Sequence, residues 1–159
     1  MLLVDGQGRD ILAASGTEGS IECDEARVIL REGPWGEKNA YLCDLSGKRL
    51  AGPYQDIWRV SARSGAPYYA YSSFETQSEA WGEGDHLYLN EVPGTRRSGL
   101  MDQDGALLWP EDDYREVYSA VDGLFAVQTA EAAGVVRADG QWLARYGTAE
   151  DAEDAEDES

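Results

Sequence analysis

The chain has one histidine and two cysteines among 159 residues, and each scarcity removes a class of chemistry. A nucleophilic triad needs an imidazole held by a carboxylate beside a Ser or Cys. The lone imidazole, His86, follows Asp85, and in so acidic a chain it reads as a surface group rather than a general base. Cys23 and Cys43 are too few for a disulfide framework, and no Cys/His spacing fits a metal site, so neither metal nor cofactor is expected. They read as two core or half-buried thiols. Asp5-Gly6-Gln7-Gly8 lacks the Lys and helix of a phosphate-cradling loop. Asp102-Gln103-Asp104-Gly105 looks like the start of a calcium loop, but the later ligands and terminal Glu are missing. A hairpin turn explains it better.

Basic residues are also few: 13 against 31 acids, a formal net charge of -18. Seven of the acids lie between Glu150 and Glu158 with no base among them, and the remaining 24 still outnumber the bases. Phosphate-backbone binding needs clustered Lys and Arg, so no nucleic-acid partner is expected. The charge favours a basic partner, or solubility alone. No stretch of 18 apolar residues exists, so no membrane partner is expected. Met1-Leu2-Leu3-Val4 runs straight into Asp5-Gly6 without the layout of a secretory leader, and a cytoplasmic location follows as the expectation. The length suits one domain, with 1–147 as the folded body and 148–159 as a disordered acidic tail.

What the chain has is glycine, 18 residues of it, between short apolar runs. Met1–Val4, Arg27–Arg31, Ala40–Cys43, Tyr68–Tyr71, His86–Leu89, Leu124–Val127 and Val135–Val136 are strand-sized and bounded by Gly, Pro, Asp or Ser. In Arg27–Arg31, Val28 and Leu30 share one face and both arginines take the other. The fold class is therefore all-β.

Four similar turns recur: Asp5 to Gly8, Asp44 to Gly47, Asp102 to Gly105 and Arg137 to Gly140. Each follows two apolar residues, and each precedes a short returning strand: Ile11-Leu12, Leu50-Ala51, Leu107-Leu108-Trp109 or Trp142-Leu143. An Asp side chain caps such a turn, and Gly takes the positive φ that closes it. After two of the turns come a Pro and a Tyr-x-x-aliphatic, at Pro53/Tyr54/Ile57 and Pro110/Tyr114/Val117. The prolines should stop the returning strands. Asp122-Gly123-Leu124-Phe125-Ala126-Val127 completes the series. The turn glycines are 39, 58 and 35 residues apart, and the long middle interval predicts an insertion between Ser61 and Gly84.

This pattern resembles the bacterial WG-repeat family, most closely over Ser98 to Val127 and next over Ala40 to Val60. The family's Trp-Gly occurs once, at Trp35-Gly36, while Asn39-Ala40, Ser98-Gly99 and Ala133-Gly134 stand at the aligned places. The resemblance implies repeated antiparallel hairpins forming a curved sheet or a barrel-like solenoid. It leaves closed barrel and open sheet undecided.

Tyr68, Tyr69, Tyr71, Phe74 and Trp81 crowd the predicted insertion, and interfaces favour such rings. Tyr68 and Tyr69 point to opposite faces of a strand, and a one-sided sheet cannot bury both. Tyr68, Tyr69, Tyr71 and Trp81 are therefore the candidate partner anchors. Glu111, Asp112 and Asp113 are the candidate acidic contacts. A small acidic chain without a catalytic set resembles bacterial immunity proteins. That resemblance implies a non-enzyme that occludes a cognate protein toxin with a basic surface. A WG-repeat scaffold or envelope module binding a peptide or glycan is the alternative. A hydrolase using paired carboxylates is the third reading, and it requires a carboxyl with a raised pKa in a cleft.

Overall fold

The structure, a computed structural model, describes residues 1–14, 18–61, 65–80, 87–109, 114, 116–119 and 123–147. The expected acidic tail at 148–159 lies outside these residues. Among them there is no helix. The strands are β1 (Leu2–Val4), β2 (Asp10–Ala13), β3 (Ser20–Cys23), β4 (Val28–Arg31), β5 (Ala40–Cys43), β6 (Arg49–Tyr54), β7 (Asp56–Arg59), β8 (Tyr69–Ser73), β9 (Thr76–Ala80), β10 (Leu87–Glu91), β11 (Arg97–Met101), β12 (Glu116–Ser119), β13 (Leu124–Gln128), β14 (Ala132–Arg137) and β15 (Trp142–Gly147). They form open antiparallel sheets: the β1-β2 and β9-β10 hairpins, a β3-β4-β5-β6 meander, a β11-β8-β7 sheet and a β12-β13-β14-β15 meander. Among the described residues no sheet closes into a barrel.

Three cores lie between successive sheets. Leu3 and Leu12 of the first hairpin cover Val28, Leu30 and Cys43. On the other face of that meander, Ile29, Ala40 and Leu42 meet Ile57, Tyr69, Tyr71 and Met101 of the three-stranded sheet. Beyond it, Val60, Ala70 and Leu100 meet Val117, Phe125, Val127 and Val136, with the rings of Trp109 and Tyr114. Neighbouring residues therefore enter different cores: Val28 and Leu30 one, Ile29 the next, and Tyr69 and Tyr71 one, Ala70 the next. An unbroken apolar run is what a strand covered on both faces requires. Each large side chain so buried contributes about 1.5–3 kcal/mol.

The second face of β4 corrects the expectation drawn from its arginines. It is not a solvent face: Ile29 is 3% exposed, and Arg31 donates to the Ile57 carbonyl of β7 at 2.8 Å. Within the interval predicted as an insertion, residues 69–73 form the central strand of their sheet, paired with β7 on one side and β11 on the other. The β9-β10 hairpin lies in the chain between β8 and β11. Pro53 does not stop a strand. β6 continues to Tyr54, which pairs with Ala40, by a bulge that skips Tyr41.

The four turns share one hydrogen-bond pattern. The first residue's N–H donates to the carbonyl four residues on, and the glycine N–H donates back to the first residue's carbonyl, at 2.8–3.1 Å throughout. In three of them the leading Asp carboxylate also accepts two turn N–H groups: Asp5 from Gln7 and Arg9, Asp44 from Ser46 and Lys48, Asp102 from Asp104 and Ala106. Arg137 has no acceptor to offer, and Asp139 takes the Gln141 N–H instead. These bonds hold the Asp5 and Asp44 carboxyls below the usual carboxylate range, led by the Arg9 N–H at Asp5 and the Ser46 hydroxyl at Asp44.

Two turns rest on the hairpin before them. A Cβ on Gly47 would lie 3.0 Å from the Ile11 carbonyl oxygen, and one on Gly105 would lie 2.9 Å from Ala51 Cβ and 3.0 Å from the Leu50 oxygen. Gly8 has a similar φ, 79° against 81° at Gly105, but open space around it. Gly8→Ala should therefore cost only the left-handed backbone term of about 1–2 kcal/mol. Gly105→Ala adds a steric clash and should cost at least about 1 kcal/mol more in urea unfolding. Equal costs would show that the Gly105 turn is not packed on β6.

Candidate functional site

Of the sequence-predicted anchors, Trp81 and the acids Glu111, Asp112 and Asp113 lie outside the described residues, as does His86. The three tyrosines are among the described residues, and two of them, Tyr69 and Tyr71, are buried and so cannot serve as surface anchors. Tyr69 is 0% and Tyr71 6% exposed. The Tyr71 ring stacks on Tyr54 at 4.4 Å and lies so close over Gly99, its cross-strand partner, that a Cβ there would be 2.5 Å from the hydroxyl. Tyr68 packs edge-on against Phe125 at 5.3 Å and is half-buried. The physical reason is that the sheet is not one-sided. Both of its faces are covered, so opposite-facing rings each find a core.

Three aromatics are more than half exposed among the described residues, Trp35, Tyr118 and Tyr146, and Trp35, 60% accessible, lies in the β4–β5 loop. Its loop is braced from within: Asn39 Nδ2 donates to the Pro34 carbonyl at 3.0 Å, and the Asn39 N–H to the Glu37 carbonyl at 3.0 Å. The indole packs on Phe74 at 5.6 Å between centroids, and the Arg96 guanidinium sits over the Phe74 ring at 4.9 Å. Phe74 cannot slide, because Gln55 grips its backbone twice. The amide Nε2 donates to the Phe74 carbonyl, and the Phe74 N–H donates to Oε1 at 3.1 Å. Gln55 is itself only 7% exposed.

Beside this stack is an open hollow of about 590 Å³ lined by Gly36, Glu37, Lys38, Phe74, Glu75 and Leu89. Past Arg96 is a second of about 280 Å³, lined by Glu91, Gly94, Arg96 and Glu116. Arg96 makes a two-pronged ion pair with Glu91 at 2.8 and 2.9 Å. Hydrogen bonding to Glu91 outweighs burial and pushes the guanidinium pKa up. The result is an aromatic platform with a protruding indole, edged by Glu37, Glu75, Glu91 and Glu116 and by two bases, Lys38 and the Arg96 already paired with Glu91. A hydrophobic anchor with an acidic rim suits a partner that brings basic side chains around an apolar centre. Sequence reasoning missed Trp35 as a site residue. Its signal was its setting, a bulky ring between Pro34 and Gly36 in a turn, but the Phe74 contact spans residues far apart in the chain.

A second polar cluster joins the meander to the middle sheet. Asp24 accepts the Ala26 and Arg27 N–H groups at 2.7 Å each, and the Tyr69 hydroxyl at 2.6 Å. Arg59 lies 3.3 Å from Asp24 and 2.7 Å from Glu25. Burial pushes the Asp24 carboxyl up, but the bonds from Tyr69, the two N–H groups and Arg59 outweigh it, so its pKa falls below the usual range. Burial, and then the bond to Asp24, push the Tyr69 phenol up. This is a structural tie, since every group in it is engaged.

Cys43 is buried and Cys23 exposed, and burial foremost pushes both thiol pKa values up, the opposite of what activates a thiol. Cys23 and Cys43 flank Val28 across β4, two strand spacings of about 4.8 Å apart. That exceeds the roughly 7 Å reach of a disulfide. Among the described residues no three His, Cys, Asp or Glu gather as a metal site, and no helix is long and apolar enough to cross a membrane.

Fold and site together define an all-β antiparallel protein of open sheets packed face to face, with an acid-rimmed aromatic platform on one side. Compared with known proteins, the chain matches no family model, no curated protein and no solved structure.

The Asp24 tie gives a pH test. A depressed folded-state pKa contributes stability above the unfolded value of about 3.9, and that stability is lost as pH falls through the folded value. Tyr69→Phe should cost about 1–3 kcal/mol at pH 7 in urea unfolding. The cost should shrink toward pH 3 and below as Asp24 protonates. A cost independent of pH would show that the bond to ionised Asp24 is not what Tyr69 contributes.

Proposed function

We propose that this is a non-catalytic binding protein built from four divergent WG-like repeats, and that it acts as an immunity protein occluding the basic surface of a cognate toxin. The observation that carries the reading is Trp35, a 60%-exposed indole held on Phe74 with Glu37, Glu75, Glu91 and Glu116 around the platform. Trp is strongly favoured at interface hot spots when its surroundings are fixed and water can be excluded on docking. The net charge of -18 supplies long-range attraction for a cationic partner and speeds encounter at low salt. Glu111, Asp112, Asp113 and Trp81 remain in the proposal as further contacts. The anchor role passes from Tyr69 and Tyr71 to Trp35.

Two features support the repeat reading. The four turns share their hydrogen bonds, and around two of them the strands follow one order. In both complete meanders three strands precede the turn and one follows, as in β3-β4-β5 then β6, and β12-β13-β14 then β15. The middle unit has three strands before the turn as well, β7, β8 and β11, with the β9-β10 hairpin between β8 and β11, and after the turn only the isolated Met101–Leu107 bridge. In this reading that hairpin supplies Leu89 to the platform floor, which links the irregular unit to the site. Cytoplasmic location and the absence of a cofactor belong to the same proposal.

The test is co-expression with the product of the neighbouring gene. A stoichiometric complex that relieves toxicity is expected. Trp35→Ala should weaken it by at least about 30-fold, the size of a 2 kcal/mol hot spot, with the melting temperature unchanged. Raising salt should weaken it steeply. A neighbouring product that neither binds nor harms cells, or a complex indifferent to Trp35→Ala, contradicts the reading.

A further inference from the structure

Among the described residues, arginines lie over aromatic rings at three places, and at two of them a glutamate holds the cation there. The Arg49 guanidinium carbon is 3.9 Å from the Tyr41 ring centroid, and Arg49 pairs with Glu32 at 2.6 Å. That of Arg96 is 4.9 Å from the Phe74 centroid, and Arg96 makes its forked pair with Glu91. Arg145 lies 4.7 Å over Trp142. The combination has a physical basis. The negative face of the ring attracts the flat cation, and a carboxylate beside it takes N–H groups that the ring cannot satisfy.

Trp35 has a ring and carboxylates of this kind without the arginine. Its loop runs through Gly36 to Glu37, and Phe74, on which the indole packs, is followed by Glu75. Both glutamates are exposed and line the hollow of about 590 Å³ beside the stack. Among the described residues neither has an ion pair, and Lys38, the one base lining the hollow, pairs with neither. Arg96 is committed to Glu91. Gly36 sets how closely the loop approaches the floor, since a Cβ there would lie 3.4 Å from Leu89 Cβ.

We propose that this hollow is the subsite for one arginine side chain of a protein partner, its guanidinium lying against the open Trp35 indole and dividing its N–H groups between Glu37 and Glu75. The inference rests on the reading of the Trp35 platform as the binding face and names what that face recognises. Phe74 and Leu89 line the hollow with apolar surface for the arginine methylenes. A lysine brings the charge, but neither the plane that stacks on an indole nor a fork of donors to share between two carboxylates. A neutral apolar side chain would take water from both carboxylates and return nothing.

The test is titration of the full chain with N-acetyl-arginine amide to about 50 mM at constant ionic strength, followed by the Trp35 indole N–H resonance. The lysine amide and the uncharged, similarly shaped citrulline amide are the controls. The arginine amide should shift the Trp35 signal saturably in the millimolar range, the lysine amide at least about threefold more weakly, and the citrulline amide without saturation. Glu37→Gln and Glu75→Gln should each weaken arginine binding at least about threefold with the melting temperature unchanged. Together they should abolish saturation. An arginine amide that acts on Trp35 no more than citrulline overturns the proposal, and so does binding indifferent to both substitutions. A toxin complex lost with Trp35→Ala but fully retained by the doubly substituted chain keeps the platform reading and overturns the arginine subsite. Saturable arginine binding with no toxin at the neighbouring gene does the reverse: it supports the subsite and removes the immunity reading.

Discussion

β8 has no solvent face, and most of the molecule follows from that. A strand covered on one side alternates apolar with polar residues. A strand covered on both must fill every position with something a core accepts. Tyr69, Ala70, Tyr71 and Ser72 meet that demand, with the rings going to one core and Ala70 to the other. The small residue is as necessary as the large ones. Ala70 leaves room for the aromatic core of Trp109, Tyr114 and Phe125, as Gly99 leaves room for the Tyr71 ring. Sheets then stack because each one's second face needs the next.

Stacked sheets need to be held in register as well as pressed together, since apolar packing is non-directional. Directional contacts cross each gap. Asp24 receives the Tyr69 hydroxyl and Arg31 reaches the Ile57 carbonyl across one; the Trp109 indole N–H donates to the Arg137 carbonyl at 3.0 Å across another. The turns add steric contacts of their own, with Gly47 and Gly105 against the preceding hairpins. The same rigidity positions the candidate site. Trp35 comes from one sheet's loop and Phe74 from the end of the next sheet's central strand, so the platform exists only when the two are fixed relative to each other.

Local features were legible in the sequence and long-range ones were not. Ala40–Cys43 matches β5 residue for residue, and the four glycine turns form where an Asp acceptor and a positive-φ glycine coincide, because both signals are contained in a few residues. Short polar strands such as β3 and β9 carry no comparable signal. Tyr68–Tyr71 gave the right secondary structure and the wrong role, since a run of rings reads equally as an exposed patch or as a strand buried twice. The difference lies in β7 and β11, which pair with it from elsewhere in the chain. Trp35 failed in the opposite direction. In the sequence it is a lone Trp-Gly outside the aligned places, and its partner, Phe74, is a neighbour only in three dimensions.

Native-state hydrogen exchange, read residue by residue, tests the stacked arrangement most directly. If β8 is the doubly paired, doubly covered centre, the Tyr69, Ala70 and Tyr71 amides exchange only by global unfolding and are among the slowest in the chain. The β9-β10 hairpin, paired only with itself, exchanges much faster. Amides of β8 that exchange as fast as those of β9 would contradict the account, because the strand would then be a surface insertion and not the centre of the stack.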